Sequence, residues 1–301
     1  MTVQDISTEI RSLAEEKNAV ILAHNYQVAG VQDIADIVGD SLELARAVAG
    51  RGEETIIFCG VDFMAETAAI LSPEKTVLLP APDAHCPMAG MITGGEVRIL
   101  RERFPDAAVV AYVNTTAEVK AESDICCTSA NALKVVESLE TDQVIMLPDR
   151  NLARYVARFT EKEILPWKGY CYVHDRMSIE DVKQARSAHP DSELLVHPEC
   201  RPEVIDLADY VHSTSGMIRH ICASDRHDFI IGTEPGIIHQ IEKQCPGKRV
   251  YPLSEKAICM NMKKTSLDKV LQSLETLTPR ILVPDEIAAR ARVAISRMLE
   301  I

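Results

Sequence analysis

Aromatic side chains are scarce in this chain. Five Phe, seven Tyr and one Trp make up 4% of its 301 residues. That leaves no platform on which bases could stack. The formal charge of −13 leaves no surplus of cations for a phosphate backbone, so nucleic acid is not an expected partner. Long apolar runs are also missing. None approaches the ~18 residues needed to cross a bilayer, and no membrane association is expected. The start, Met1-Thr2-Val3-Gln4-Asp5, has neither the basic region nor the apolar core of a signal peptide, so a cytoplasmic location is expected. No low-complexity tract and no long Gly/Ser linker interrupts the chain. The nine cysteines include no local C-x₂₋₄-C pair of the kind structural zinc uses. Without an export signal they argue for thiol or metal chemistry rather than disulfides.

A threefold repeat is what the sequence does contain. Three apolar runs end in polar residues: Val20 to Tyr26, Val109 to Asn114, and Leu194 to Glu199. They align on His24, Tyr112 and His197. Twelve positions further on stand Asp36, Asp124 and Asp209, and seventeen further on the hydroxyls Ser41, Ser129 and Thr214. Cysteines follow at 62, 59 and 62 positions: Cys86, Cys171 and Cys259. Recurrence in fixed order at a fixed period dictates architecture. It implies three similar modules around a pseudo-threefold axis, over residues 1–88, 89–174 and 175–262, with capping helices over 263–301.

Within each module strands alternate with helices. The spacing predicts strands Val20–Ala23, Thr55–Phe58 and Thr76–Leu79, then Ala108–Tyr112 and Gln143–Leu147, then Leu194–Val196, Phe229–Ile231 and Arg249–Tyr251, with helical periodicity between them. Short, wholly apolar strands joined by helices belong to parallel sheets covered on both faces. The fold class is therefore α/β, with three αβα modules built on small parallel sheets. Ligands on such sheets gather at the carboxyl ends of the strands, where all the repeated polar residues fall.

Three thiols from equivalent loops predict a metal site that only the folded chain can assemble. Soft thiolates with one open position suit an iron–sulfur cluster or a catalytic zinc. Three thiolates would blunt the Lewis acidity of zinc, which favours the cluster. The other six cysteines read as core or unrepeated positions. Strand-end pairs His24/Tyr26, Tyr112/Asn114 and His197/Glu199 lie two residues apart and face one way. Histidine and tyrosine can donate hydrogen bonds or move protons. Glu199 is the lone carboxylate among them. Burial is expected to raise its pKa towards neutrality and make it the general base. Ser41, Ser129 and Thr214 stand near helix starts, where hydroxyls and free N–H groups hold carboxylates or phosphate; each taken alone reads as a helix cap. The aspartates are expected to hold turns.

Taken together, His24-Asn25-Tyr26-Gln27, Asp36-Ile37-Val38-Gly39-Asp40-Ser41-Leu42, Tyr112-Val113-Asn114, Val196-His197-Pro198-Glu199-Cys200 and the dispersed cysteines resemble the quinolinate synthase family, the A proteins of de novo NAD biosynthesis. The resemblance runs through essentially the whole chain. It implies a [4Fe–4S] cluster on Cys86, Cys171 and Cys259, with an open iron acting as Lewis acid. It implies condensation of iminoaspartate with dihydroxyacetone phosphate to quinolinate, with loss of phosphate and water. It assigns substrate contacts to His24, Ser41, Tyr112, Asn114, Ser129, His197, Glu199 and Thr214, and catalytic roles to Tyr26, Glu199, His24 and His197. A transient contact with the enzyme that supplies iminoaspartate goes with it. One departure is that Cys259 is followed by Met260-Asn261-Met262, without the neighbouring thiol of a C-x-x-C. An aconitase-like dehydratase, an iron–sulfur sensor and a metal-free repeat protein remain the competing readings of the residues alone.

Overall fold

The computed structural model describes residues 3–48 and 50–301. Its first module runs α1 (Val3–Glu16), β1 (Ala19–His24), α2 (Ala29–Asp33), β2 (Ile37–Gly39), α3 (Ser41–Val48), β3 (Thr55–Cys59), α4 (Asp62–Leu71) and β4 (Thr76–Leu78). The second runs α5 (Gly94–Arg103), β5 (Ala108–Tyr112), α6 (Ala117–Ala121), β6 (Ile125–Cys127), α7 (Ala132–Glu137), β7 (Gln143–Leu147), α8 (Arg150–Val156) and β8 (Glu163–Pro166), and α9 (Tyr172–Asp175) follows it. The third runs α10 (Ile179–Ala188), β9 (Glu193–Val196), α11 (Pro202–Ile205), β10 (Tyr210–Val211), α12 (Thr214–Ala223), β11 (Asp228–Gly232), α13 (Ile237–Gln244) and β12 (Arg249–Pro252). The chain closes with α14 (Leu267–Thr276) and α15 (Asp285–Leu299). Each module is thus an α/β layer structure, and the three are alike.

All three sheets are parallel and share one strand order: β2-β1-β3-β4, β6-β5-β7-β8 and β10-β9-β11-β12. The registers match too. Leu22 pairs with Ile37, Val110 with Ile125 and Leu195 with Tyr210, each pair 15 residues apart. The central strands are buried because their runs are apolar on both faces; β3 and β5 have no exposed residue.

The repeated aspartates act as clamps between strands, not as turns between strand and helix. Asp36, Asp124 and Asp209 accept the N–H of Ile21, Val109 and Leu194 at 2.8, 2.7 and 2.7 Å. They return their own N–H groups to the carbonyls of the same three residues. Each carboxylate also pairs with an arginine from the helix that opens its module: Arg11, Arg101 or Arg186. These clamps fix the register near the start of the first strand, so the aspartates do not fall at the carboxyl ends with the other repeated polar residues. Strands β6, β8 and β10 and helices α5 and α10 escape the hydrophobic-pattern reading. The strands are too short for alternation to register, and both helices bury little: Gly94 and Val97 in α5, Val182 in α10.

The first two modules share one apolar core, into which α15 inserts Ala291, Ala294, Ile295 and Met298. That helix is a structural wedge rather than a simple cap. Helix α14 covers α1 through Val270 and Leu274; it begins at Leu267 behind the Ser266 cap, later than residue 263. The segment 279–281 shields the β4 edge through Leu79 N–H to Pro279 O and Ile281 N–H to Val77 O. The third module has apolar cores of its own. It meets the first through polar contacts, among them Gln32 Nε2 to Gly236 O at 2.9 Å and Lys243 to Asp33 at 2.7 Å. No helix among the described residues is long and apolar enough to cross a membrane.

Candidate active site

The first strand of each sheet delivers a polar residue to one cavity. His24 ends β1, Tyr112 ends β5 and His197 follows β9. The cavity is lined by twelve of the fifteen residues that the repeat singles out, all but the aspartates: His24, Tyr26, Ser41, Cys86, Tyr112, Asn114, Ser129, Cys171, His197, Glu199, Thr214 and Cys259. Residues separated by more than 230 positions in sequence therefore face one space.

The two histidines are held alike. His24 Nδ1 accepts the Tyr26 N–H at 3.1 Å, and His197 Nδ1 accepts the Glu199 N–H at 3.3 Å. With Nδ1 occupied as acceptor, each neutral ring carries its hydrogen on Nε2. His197 Nε2 lies 3.2 Å from Ser129 Oγ. Burial pulls His24 down to about 4. Burial, reinforced by His174, pulls His197 down to about 3. Both rings are neutral hydrogen-bond donors at pH 7.

The hydroxyls are released from helix capping by their neighbours. Asp40 accepts the N–H groups of Leu42 and Glu43 at the start of α3, which leaves the Ser41 side chain to the cavity. Ser213 accepts the Gly216 N–H at the start of α12, which leaves Thr214. Before α7, Asn131 Oδ1 takes the N–H and hydroxyl of Thr128, which leaves Ser129. Thr214 Oγ1 stands 2.9 Å from the Tyr26 hydroxyl, and Thr233 Oγ1 stands 2.6 Å from it. Burial raises the Tyr26 phenol well above its ordinary range. Asn114 Oδ1 is buried with no hydrogen-bond partner. A buried acceptor of that kind is costly unless a ligand or water satisfies it.

Glu199 departs from the sequence expectation. Burial alone would raise its pKa, but His174 Nδ1 lies 2.8 Å from Oε2. With further help from His197 and the Tyr112 hydroxyl, this holds the carboxyl down to about 2. Glu199 is therefore an ionised acceptor facing His174. The other nitrogen of His174 reaches Thr233 Oγ1 at 3.0 Å, and its ring stacks on His197 at 4.4 Å between centroids. His174 and Thr233 went unread in the sequence because neither recurs: the positions equivalent to His174 hold Ala89 and Met262, and those equivalent to Thr233 hold Gly60 and Pro148.

The three cysteines open short helical turns. Cys171 is the N-cap of α9; Cys86 and Cys259 precede the 3₁₀ turns Ala89–Met91 and Met262–Lys264. Backbone N–H groups at 88 and 89, at 174, and at 261 and 262 point to the respective sulfurs. Burial is the main cause that raises all three thiols, Cys86 to about 12. A metal would displace those protons and leave thiolates already met by N–H donors. Cys171, His174 and Glu199 also bring their ligand atoms within 4.8 Å of one another. Of the remaining cysteines, Cys59, Cys126, Cys127 and Cys200 are buried free thiols. Cys222 and Cys245 form a disulfide between α12 and the end of α13, where the sequence argued for thiol or metal chemistry rather than disulfides.

Comparison with known proteins gives one consistent result. The family model described as Quinolinate synthetase A protein matches residues 8–300. A protein of Methanoregula boonei named quinolinate synthase is 66% identical over 294 residues, covering 98% of this chain and 97% of its own length. The quinolinate synthase of Dehalococcoides mccartyi strain 195 is 52% identical over 301 residues, the full length of both chains. Quinolinate synthase 2 of Methanosarcina acetivorans is 48% identical over 296 residues, covering 98% of this chain and 96% of its own length.

Proposed function

The chain belongs to the quinolinate synthase family, and on that premise we propose that it condenses iminoaspartate with dihydroxyacetone phosphate, releasing quinolinate, one phosphate and two waters. The observation that carries the proposal is the convergence of three thiols, three hydroxyls and three polar strand ends on one cavity.

Cys86, Cys171 and Cys259 would hold a [4Fe–4S] cluster. Three thiolates sharing one tetrahedral zinc at ~2.3 Å would stand ~3.8 Å apart. Among the described residues only Cys171, His174 and Glu199 bring three potential ligand atoms within 4.8 Å of one another, so the wider thiol spacing favours a polynuclear core over a single ion. The N–H groups aimed at the sulfurs suit cluster ligands as well. When bound, the cluster supplies a Lewis-acid position that polarises a hydroxyl or carboxylate oxygen for departure as water.

The chain's own groups account for binding and proton movement. Ser41, Ser129 and Thr214 offer hydroxyls to carboxylates and to the departing phosphate, which is how an acidic protein can hold acidic substrates. Neutral His24 and His197 donate Nε2–H bonds to oxygens on which charge develops. Asn114 Oδ1 accepts from a substrate N–H or O–H. The Glu199–His174 pair takes and returns protons, with the ionised carboxylate orienting the imidazole. Tyr26, between Thr214 and Thr233, is placed to relay a proton along the same chain, since Thr233 also meets His174.

Incubating anaerobically purified protein with both substrates tests the proposal. Formation of a pyridine dicarboxylate is the expected result. Failure to form it with an intact cluster, together with dehydration of a simple hydroxy acid, would favour the aconitase-like reading instead.

A further inference from the structure

One carboxylate per module stands at the same point of the repeat and is absorbed by neither the strand clamps nor the cavity. Asp62, Asp149 and Glu234 follow His24, Tyr112 and His197 by 38, 37 and 37 residues. Each lies just past the third strand of its sheet, at the entry to α4, α8 or α13. Each accepts the backbone N–H of a cavity cysteine: Asp62 Oδ1 from Cys86 at 3.1 Å, Asp149 Oδ2 from Cys171 at 3.0 Å and Glu234 Oε1 from Cys259 at 3.4 Å.

The remaining lone pairs tie each carboxylate to the framework. Asp62 Oδ1 also takes the Phe63 N–H, and its Oδ2 meets His85 Nδ1 at 2.8 Å. Asp149 Oδ1 caps α8 through the Leu152 N–H at 2.6 Å. Glu234 Oε2 takes the Gly236 N–H at 2.7 Å, and Lys263 pairs with Glu234 Oε1 at 2.9 Å. Three loops are thus each pinned, at the ligand residue itself, to the start of a helix.

Building on the cluster reading above, we propose that Asp62, Asp149 and Glu234 are positioning residues that hold the three ligand cysteines at cluster geometry before the metal arrives. Helix capping alone would not need the cysteine contact, and backbone N–H groups in a loop could as well bond to water. Fixing the main chain at the ligand residue, three times over, serves coordination. Groups behind metal ligands typically change metal affinity by about 10- to 100-fold when replaced.

Isosteric variants test the inference one loop at a time. In Asp149→Asn one acceptor oxygen can still cap α8 while an amide N–H₂ faces the Cys171 N–H. In metal-free protein, amide exchange at the peptide holding Cys171 should accelerate by about an order of magnitude, with the Cys86 and Cys259 peptides unchanged. Glu234→Gln should do the same at Cys259 alone. In loaded protein, each variant should lose iron to a chelator about 10- to 100-fold faster than wild type and alter the spectrum of the reduced cluster. Asp124→Asn, which weakens a strand clamp, should leave all three loops and the iron untouched. Loops that loosen together, or the same iron loss in Asp124→Asn, would reduce the effect to general destabilisation and overturn the inference. Wild-type iron retention in Asp149→Asn and Glu234→Gln would overturn it too. Wild-type protein that takes up no iron would instead sink the cluster reading itself.

Discussion

Single residues divide into those whose type announces a role and those whose neighbours assign it. Glu199 reads as a base from its type, yet the imidazole of His174 at 2.8 Å keeps it ionised. Glu199→Gln should leave iron content unchanged while lowering kcat by about 10²- to 10⁴-fold; steady-state kinetics on the loaded variant reads this, and wild-type turnover would remove Glu199 from its role. His24 carries a consequence for stability. Its folded pKa of about 4 lies below the ~6.5 of an unfolded histidine. The unfolded chain therefore binds a proton that the folded protein refuses between those values. Stability is fully present above pH ~6.5 and falls as the pH drops towards 4, by an amount of order 3 kcal/mol for this residue. His197 adds a similar loss in the same direction. Asp40 and Glu199 pull the other way without outweighing its burial, which Lys263 reinforces. Denaturant titrations of metal-free protein at pH 7 and pH 5 should show a smaller loss in His24→Gln than in wild type.

Elements were legible where a pattern repeated and illegible where it did not. Apolar runs such as Val20–Ala23 and Val109–Ala111 declare buried parallel strands, and they are found there with matched registers. Two-residue β10 offers no period to detect. The aspartate clamps were visible as a repeat but not as a function, because their partners, the N–H of the first strand and an arginine far upstream, belong to tertiary structure. Asp62, Asp149 and Glu234 carried the same repeat signal and were overlooked because their types differ. Replacing Asp124 by Asn weakens its bonds to the Val109 N–H and to Arg101. Chemical denaturation should register a loss of about 1–3 kcal/mol with catalysis per folded molecule intact.

For the whole molecule, three modules of one design are joined unequally. The first two share a core closed by α15, whereas the third meets the first through buried polar groups such as Gln32. At Gly236 there is no room for a side chain: a Cβ would stand 2.9 Å from the Tyr26 carbonyl carbon. The third module can approach the Tyr26 strand end only with glycine at that position. The wedge makes α15 a determinant of stability although none of its residues lines the cavity. Ile295→Ala should cost about 2–5 kcal/mol, read as a lowered unfolding midpoint, with the iron-binding loops unaffected in the folded fraction. The threefold plan was legible because each module repeats the same chemistry at the same offset. The unequal joints were not, since nothing local in α15 marks the surface it will fill.

The central claim is that three distant thiols converge on one cluster. Iron and acid-labile sulfide, measured on anaerobically isolated wild type beside Cys171→Ala, test it most directly. About four of each per chain in wild type, with most of the iron and all activity lost in the variant, is the expected result. An iron-replete, active Cys171→Ala protein would contradict it.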